Sequence, residues 1–283
     1  KMYKQIIKQP NIRGIAAGAV ATGEIPTVGT HYATYLRCLS AAGVALTPAQ
    51  IKADVGDIIV RINGQQVIEA SATFLLDLQK YYGDQINAGN VDGIIPIVWS
   101  RPHLATDQER SIFALGLTGI SSFTIDVKVT GVVVLSSIEV LSEVTPEVRT
   151  LGQHIRISRF PQSFATTGLQ EITTLPKEGP DVGYLGLHIP YSAGSISKVT
   201  VKLGGLNIFE DVDPNLAKVL LQKQLRNPQT GYFHVDFARS NDLGGFIPMA
   251  GVQDFRQQIT WITAAPGNFN IYTERIFGLN VKK

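Results

Sequence analysis

The chain has 283 residues, of which 44% are hydrophobic and 17% are charged, and its formal net charge is +2. This composition excludes intrinsic disorder, and the small net charge argues against a nucleic-acid-binding protein with a large basic face. A single cysteine, Cys38, excludes an intramolecular disulfide framework and a zinc site with several cysteines. The length suits two domains of about 140 residues each.

The N-terminal segment 1–10 combines Lys1, Lys4 and Lys8 with several apolar residues. We favour its interpretation as the first strand of the fold, which would match His154–Phe160 later in the chain. Alternatively, it is a basic amphipathic segment that contacts anionic lipid. It lacks the apolar core of a signal peptide.

Short segments with alternating or β-branched residues recur along the chain and predict strands. Glycine, proline, asparagine and aspartate bound most of them, as is typical of turns. In chain order the predicted strands are Asp57–Ile62, Ile94–Trp99, Ile112–Leu117, Ser122–Val129, Val199–Leu203, Tyr232–Phe237, Gln258–Thr263 and Asn268–Phe277.

Two tight hairpins and two helices complete the local predictions. Asn63-Gly64 suits a type I′ turn, and Gly204-Gly205 marks a second hairpin. A helix is predicted over Ser71–Tyr82, where Ser71 can cap the N-terminus. A second helix is predicted over Asp213–Arg226, because Asp213 and Pro214 form a favourable start. Its predicted apolar stripe contains Leu216, Val219 and Leu220.

The same features occur in the same order in both halves of the chain. Gly64 precedes Gly205 by 141 positions, and Glu69 precedes Glu210 by the same number. Each half then continues with a helix and a strand that leads to Arg101 or Arg239. Further matches are Pro10 with Pro161, Thr22-Gly23 with Thr167-Gly168, Pro26 with Pro176, Ile112–Leu117 with Ile259–Thr263, and Phe123–Val129 with Phe269–Arg275.

This duplication predicts an all-β protein of two tandem eight-stranded jelly-roll sandwiches, each with one short helix, a double jelly roll. The predicted boundaries are 1–131 for the first jelly roll, 132–150 for a connecting segment and 151–283 for the second. The apolar stretch Gly131–Leu141 contains Ser136, Ser137 and Glu139, so it is too short and too polar to cross a bilayer.

The sequence predicts no catalytic site, no cofactor-binding site and therefore no enzyme. A cupin-type metal site needs a close histidine pair with a glutamate on adjacent strands, and no spacing in this sequence predicts one. We therefore assign structural or solvated roles to all five histidines. They are His31, His103, His154, His188 and His234.

Cys38 is interpreted as a buried small hydrophobic residue, because no base is predicted near it. Glu69 and Glu210 are interpreted as charges that favour the N-terminus of the following helix. Glu210, Asp211 and Asp213 form a small acidic cluster, and such clusters can bind Ca²⁺. We favour the helix-cap role of Asp213 over a calcium site.

Ten short motifs occur in order along the chain, densely between residues 10 and 130. They are Pro10-Asn11-Ile12, Ala16-Ala17-Gly18, Ile25-Pro26, Gly29-Thr30-His31-Tyr32, Leu36-Arg37, Thr47-Pro48-Ala49-Gln50-Ile51-Lys52, Val60-Arg61-Ile62-Asn63-Gly64, Arg101-Pro102, Phe113-Ala114-Leu115-Gly116 and Val182-Gly183-Tyr184. This ordered series resembles the double jelly-roll major capsid proteins of membrane-containing icosahedral bacteriophages, most of all the corticovirus type. The chain departs from that pattern at Ser40–Ala45 and Gln85–Asp92, where extra loop residues are expected.

The resemblance implies a homotrimeric, pseudo-hexagonal capsomer that tiles an icosahedral shell over an internal membrane. It implies contacts with neighbouring capsomers, with the membrane or its proteins and with a vertex (penton) protein, and assembly in the bacterial cytoplasm. It requires no cofactor, makes structural Ca²⁺ between subunits plausible and involves no sequence-specific nucleic-acid binding. Expected membrane-proximal residues are Lys1, Lys4, Lys8, Lys282 and Lys283.

A carbohydrate-binding double jelly-roll module is the alternative function. Such a module needs exposed aromatic side chains near its loop tips, and the candidates are Tyr81, Tyr82, Trp99 and Trp261. Both tryptophans lie within predicted strands, which favours a position in the core.

Overall fold

The computed structural model describes residues 3–83, 93–104, 106–131, 134–177, 179–238 and 243–279. The chain divides into two compact units, Lys1–Ile157 and Ser158–Lys283. The predictions for Lys1, Arg239, Lys282, Lys283 and the loop Gln85–Asp92 lie outside the described residues.

The described residues of the first unit form eight long strands, one two-residue strand and three short helices. One sheet has the strand order β1-β9-β3-β6, and β7 pairs with β3. The facing sheet has the order β5-β4-β8-β2. In chain order the elements are β1 Gln5–Ile12, β2 Val20–Glu24, β3 Thr30–Ser40, α1 Pro48–Asp54, β4 Val55–Ile62, β5 Gln65–Ser71, α2 Ala72–Tyr81, β6 Ile94–Val98, α3 Asp107–Ile112, β7 Leu115–Gly116, β8 Phe123–Val129 and β9 Leu135–Thr145.

In the second unit, residues 158–177, 179–238 and 243–279 repeat this arrangement with one α-helix. One sheet has the order β15-β12-β18-β10, with β16 paired to β12, and the other has the order β11-β17-β13-β14. The elements are β10 His154–Phe164, which starts before the unit boundary, β11 Gly168–Ile172, β12 Val182–Pro190, β13 Ile196–Leu203, β14 Leu206–Val212, α4 Pro214–Gln222, β15 Tyr232–Asp236, a 3-10 turn Leu243–Gly245, β16 Ile247–Pro248, β17 Phe255–Trp261 and β18 Gly267–Phe277.

The predicted turns and the starts of both predicted helices are confirmed, but α4 ends at Gln222, four residues before the predicted end at Arg226. Asn63 and Gly64 adopt φ of 49° and 74°, and Gly204 and Gly205 also have positive φ, as the hairpins require. The Ser71 side chain caps α2, and Asp213 caps α4.

The double jelly roll is present, but one short helix in each half is too few for the first unit. That unit also contains α1 and α3, and both begin with a capping box. Thr47 with Gln50, and Thr106 with Glu109, exchange side-chain and backbone hydrogen bonds at the two starts. No residue of α3 is buried, so hydrophobic periodicity gives no signal for it.

The segment 132–150, predicted as a connecting segment, lies in the first unit. Its residues Leu135–Thr145 form β9, which pairs with β1 on one side and β3 on the other. The predicted strand Ile112–Leu117 is instead the end of α3 followed by the two-residue β7. By sheet position, the strand equivalent to β17 is therefore β8, and the strand equivalent to β18 is β9. The predicted match of the last two strands between the halves is wrong by one strand.

The core of each unit is formed by alternate side chains along its strands. In β8 and β17 every second residue is buried, from Phe123 to Val129 and from Phe255 to Trp261. The alternate side chains point at the facing sheet, as expected for a sandwich. No helix in the described part of the chain has the length and hydrophobicity needed to span a bilayer.

Candidate assembly surfaces and buried polar groups

A buried histidine pair with a glutamate crosses three adjacent strands of the second unit. His188 on β12 lies directly opposite His234 on β15, and their Nδ1 atoms are 2.7 Å apart. His188 Nε2 lies 3.0 Å from Glu274 Oε1 on β18. The sequence predicted no close histidine pair with a glutamate on adjacent strands, and this prediction is wrong. No short spacing links the three residues, and only the sheet brings them together.

The hydrogen bonds fix one arrangement of protons in this group. The backbone N–H of Gln229 donates to His234 Nε2 over 3.2 Å, so the ring proton of neutral His234 is on Nδ1. That proton is donated to His188 Nδ1, and His188 Nε2–H then donates to Glu274. Each imidazole is thus neutral in this arrangement.

The geometry favours a structural role for the pair rather than a metal site. The two Nδ1 atoms face each other at hydrogen-bond distance, which leaves no room for an ion between them. Among the described residues, no group of three or more histidine, cysteine, aspartate or glutamate side chains could hold a metal. Burial, and then the neighbouring His188, lower the pKa of His234 well below its usual value.

The other histidines have varied surroundings. His103 stacks on Tyr82, with ring centroids 4.3 Å apart. His154 Nδ1 lies 3.0 Å from the Gly152 carbonyl oxygen, and burial lowers the pKa of His154.

Cys38 is buried, as predicted, and burial raises the pKa of its thiol to about 12, so it stays protonated and unreactive.

His31 on β3 predicts an acid-sensitive first unit. Burial lowers the pKa of His31 to about 4, against 6.5 in an unfolded chain. The unfolded state therefore binds a proton more readily, and stability falls as the pH drops from 6.5 toward 4. We expect a loss of about 3 kcal/mol from this group at pH 4. In His31→Leu the loss over the same pH range should be smaller by that amount.

The two tryptophans, Trp99 and Trp261, lie one in each unit, so each unit can be followed separately. Urea unfolding of a Trp261→Phe background, monitored by Trp99 fluorescence at pH 4 to 7, measures the first unit. Leu36→Ala in the same strand is the control, because a cavity lowers stability equally at every pH. An unchanged pH slope in His31→Leu would contradict the assignment.

The residues of the predicted acidic cluster have separate protein partners. Asp211 is held by Lys198 Nζ at 2.7 Å and by Thr200, and the Lys198 hydrogen bond lowers the pKa of Asp211. Asp213 accepts the N–H groups that start α4, as predicted. Glu210 accepts from Asn207 Nδ2 at 2.7 Å.

Glu69 repeats the Glu210 arrangement in the first unit. It accepts from the Gln66 amide at 2.6 Å, and Gln66 and Asn207 are 141 positions apart like the two glutamates. We predicted that the charges of these glutamates stabilise the N-terminus of the following helix. This stays a prediction, since the N-caps themselves are Ser71 and Asp213.

Strand β1 lies at a sheet edge, in agreement with its interpretation as the first strand. Lys4 Nζ is 2.8 Å from Glu143, and Lys8 Nζ is 2.7 Å from Glu139, both on β9. Their placement near a membrane stays a prediction. Between them, Ile6 is 63% exposed, and β1 pairs on one side with β9.

Helix α4 and the preceding strand β14 expose apolar side chains. The helix buries Ala217 and Leu221, whereas Leu216 and Val219 of the predicted stripe are 45% and 53% exposed. On β14, Leu206 is 74% exposed and Ile208 is 38% exposed. We call the four exposed residues Leu206, Ile208, Leu216 and Val219 the β14–α4 surface.

The aromatic residues considered for carbohydrate binding lie mainly in the core. Tyr81, Trp99 and Trp261 are buried. Tyr82 is half-buried beneath the Arg101 guanidinium, which lies 5.1 Å from the ring centroid. These four residues therefore form no exposed stacking platform.

Two family models match the chain and together cover most of it. The model of the viral coat protein P2 N-terminal domain matches residues 6–145, and that of the viral coat protein P2 C-terminal domain matches residues 155–279. The first match ends at the end of β9, which agrees with the position of that strand in the first unit. No curated protein matches the chain.

Solved capsid structures share the fold over nearly the full length. The major capsid protein P2 of bacteriophage PM2 is 16% identical, with 99% of each chain covered and a TM-score of 0.84. The STIV major capsid protein is 12% identical, covering 98% of this chain and 97% of that one, with a TM-score of 0.70. The PBCV-1 capsid chain is 11% identical, covering 99% and 95%, with a TM-score of 0.65.

The resemblance to phage capsid proteins is thus confirmed by the family models, and the double jelly roll by the solved structures. Both halves of the chain match their respective domains in the expected order. This chain belongs to the viral coat protein P2 family and is a viral major capsid protein, a part of the virion.

Proposed function

We propose that three copies of this chain form a pseudo-hexagonal capsomer that tiles an icosahedral shell. The tandem duplication carries the proposal. Two similar but non-identical jelly rolls in one chain give six in a trimer, so a threefold assembly acquires a nearly sixfold outline. Such an outline lets capsomers pack side by side.

The composition supports the same role. Only 17% of residues are charged, so large side surfaces can be covered by neighbours without burying unpaired ions. The edge strands β1 and β14 would be covered in an assembly, which removes the aggregation hazard of open sheet edges. A structural coat protein needs no catalytic group, and we propose no enzymatic activity.

Further parts of the proposal come from the family resemblance. The shell would enclose an internal membrane, contact a vertex protein and assemble in the bacterial cytoplasm. The lysines near the chain ends, Lys1, Lys4, Lys8, Lys282 and Lys283, are the residues we propose to approach the membrane, because anionic lipid attracts basic side chains.

The solution mass tests the capsomer. Size-exclusion chromatography with light scattering should give three times the chain mass of 30.7 kDa, about 92 kDa. The same measurement after addition of a calcium chelator tests the structural Ca²⁺ that the resemblance makes plausible. A trimer lost only in chelator would support that ion, and a 30.7 kDa monomer in both conditions would contradict the capsomer.

A further inference from the structure

The internal repeat relates the β14–α4 surface to a covered surface in the first unit. The hairpin glycines Gly64 and Gly205 are 141 positions apart, so Leu206 corresponds to Gln65 and Phe209 to Ile68. In the first unit, Ile157 pairs in parallel with Ile68 of β5. The neighbouring Arg156 donates to Gln65 Oε1 over 3.1 Å.

The first unit also covers the outer side of its helix. The caps Ser71 and Asp213 are 142 positions apart, so Phe74 corresponds to Leu216 and Asp77 to Val219. Phe74 is buried, and Lys52 of α1 reaches Asp77 with Nζ 3.2 Å from Oδ1.

The second unit lacks both coverings in the part of the chain that the structure describes. Its loop between β12 and β13 is the five residues 191–195, too short for a counterpart of α1. Strand β14 pairs with β13 alone among the described strands. The side chains of Leu206, Leu216 and Val219 are exposed as a result.

The repeat also identifies a segment that could cover this surface. Pro10 of β1 corresponds to Pro161 of β10, so Ile6 corresponds to Ile157, and Gln5 to Arg156. Within one chain, residues 156–157 cover β5. Residues 5–6 are their counterparts and lie on an exposed sheet edge, with Ile6 turned largely to solvent.

We propose that β1 of one copy adds in parallel to β14 of a second copy, with Ile6 opposite Phe209 and Gln5 beside Leu206. The contact joins two different surfaces, and its repetition around the threefold axis of the proposed trimer would close a ring. Backbone pairing at an open edge supplies the geometry, and apolar side chains supply the affinity. This inference rests on the proposed trimer and specifies its interface.

Leu206→Glu tests the contact in the full chain. A carboxylate placed beside β1 should be left without a partner on assembly, so the mass should fall threefold, to 30.7 kDa. Ile6→Lys alters the opposite side of the same contact and should give the same fall. The matched control is Leu169→Glu on β11, at the other edge of the same sheet, where Leu169 is 61% exposed.

A second substitution tests the register. Gln5→Arg combined with Leu206→Glu places a guanidinium opposite the new carboxylate, as Arg156 faces Gln65 in the first unit. We expect this double variant to be trimeric again, and a monomeric double variant would overturn the register. Circular dichroism identifies any variant that fails to fold, and Ile6→Lys then decides.

The outcomes separate the two proposals. A trimeric parent whose Leu206→Glu and Ile6→Lys variants also stay trimeric overturns this contact and leaves the capsomer intact. A monomeric parent overturns the capsomer itself, and the contact with it.

Discussion

Replacing Asp236 with leucine should lower the free energy of unfolding of the second unit by about 3–5 kcal/mol. Arg226 Nε donates to Asp236 Oδ2 over 2.8 Å, and both side chains are almost fully buried. The Arg226 guanidinium also donates to the Ala238 carbonyl oxygen over 3.3 Å. Without the carboxylate, a charge that cannot be deprotonated stays in the protein interior.

The measurement follows Trp261 fluorescence in a Trp99→Phe background during urea unfolding. The double variant Arg226→Met with Asp236→Leu should recover most of the loss, because it buries no charge. Lys198→Met removes the exposed ion pair with Asp211 and should cause a much smaller loss, because solvent screens both charges. A similarly small loss in Asp236→Leu would show that the pair is not buried as described.

Features encoded by neighbouring residues could be predicted from the sequence. The Asn63-Gly64 turn and the caps of α2 and α4 depend on a few adjacent residues, and all are confirmed. The duplication was detectable because hairpin, helix and strand recur with nearly constant spacing. These local signals together sufficed to identify the double jelly roll.

Long-range contacts could not be predicted in the same way. His188, His234 and Glu274 are separated by some forty residues at each step, and only the pairing of β12 with β15 and β18 brings them together. A signal was nevertheless present, since His188 lies in a strand whose other residues are almost all apolar. A polar residue in such a strand needs a buried partner.

Two short helices, and the exposure of a third helix's apolar face, could not be predicted from local sequence patterns. The capping boxes at Thr47 and Thr106 were visible as Thr-x-x-Gln and Thr-x-x-Glu, but α1 and α3 are too short to show a clear apolar stripe. In α4 the stripe was detected, yet two of its residues face outward. Periodicity predicts an apolar face but does not say whether that face meets its own core or another chain.

The turn at Gly29 lies against the end of β9, the strand that the sequence analysis placed in a connecting segment. A side chain at this position should strongly lower the free energy of unfolding of the first unit. Gly29 precedes β3 and has a φ of +76°, and a Cβ added there would clash with the Thr145 carbonyl oxygen at the end of β9. Thr30 and Thr145 are paired residues of β3 and β9, so backbone movement at this point would disturb the pairing.

Gly29→Ala should therefore lower the free energy of unfolding of the first unit by about 3 kcal/mol or more, because a strained φ and a backbone clash add together. Gly43→Ala is the matched control, since Gly43 has a φ of +73° and no atom within 4 Å of an added Cβ. It should lose only about 1–2 kcal/mol. Urea unfolding followed by Trp99 in a Trp261→Phe background measures both. Equal losses would show that the Thr145 carbonyl is not held against Gly29.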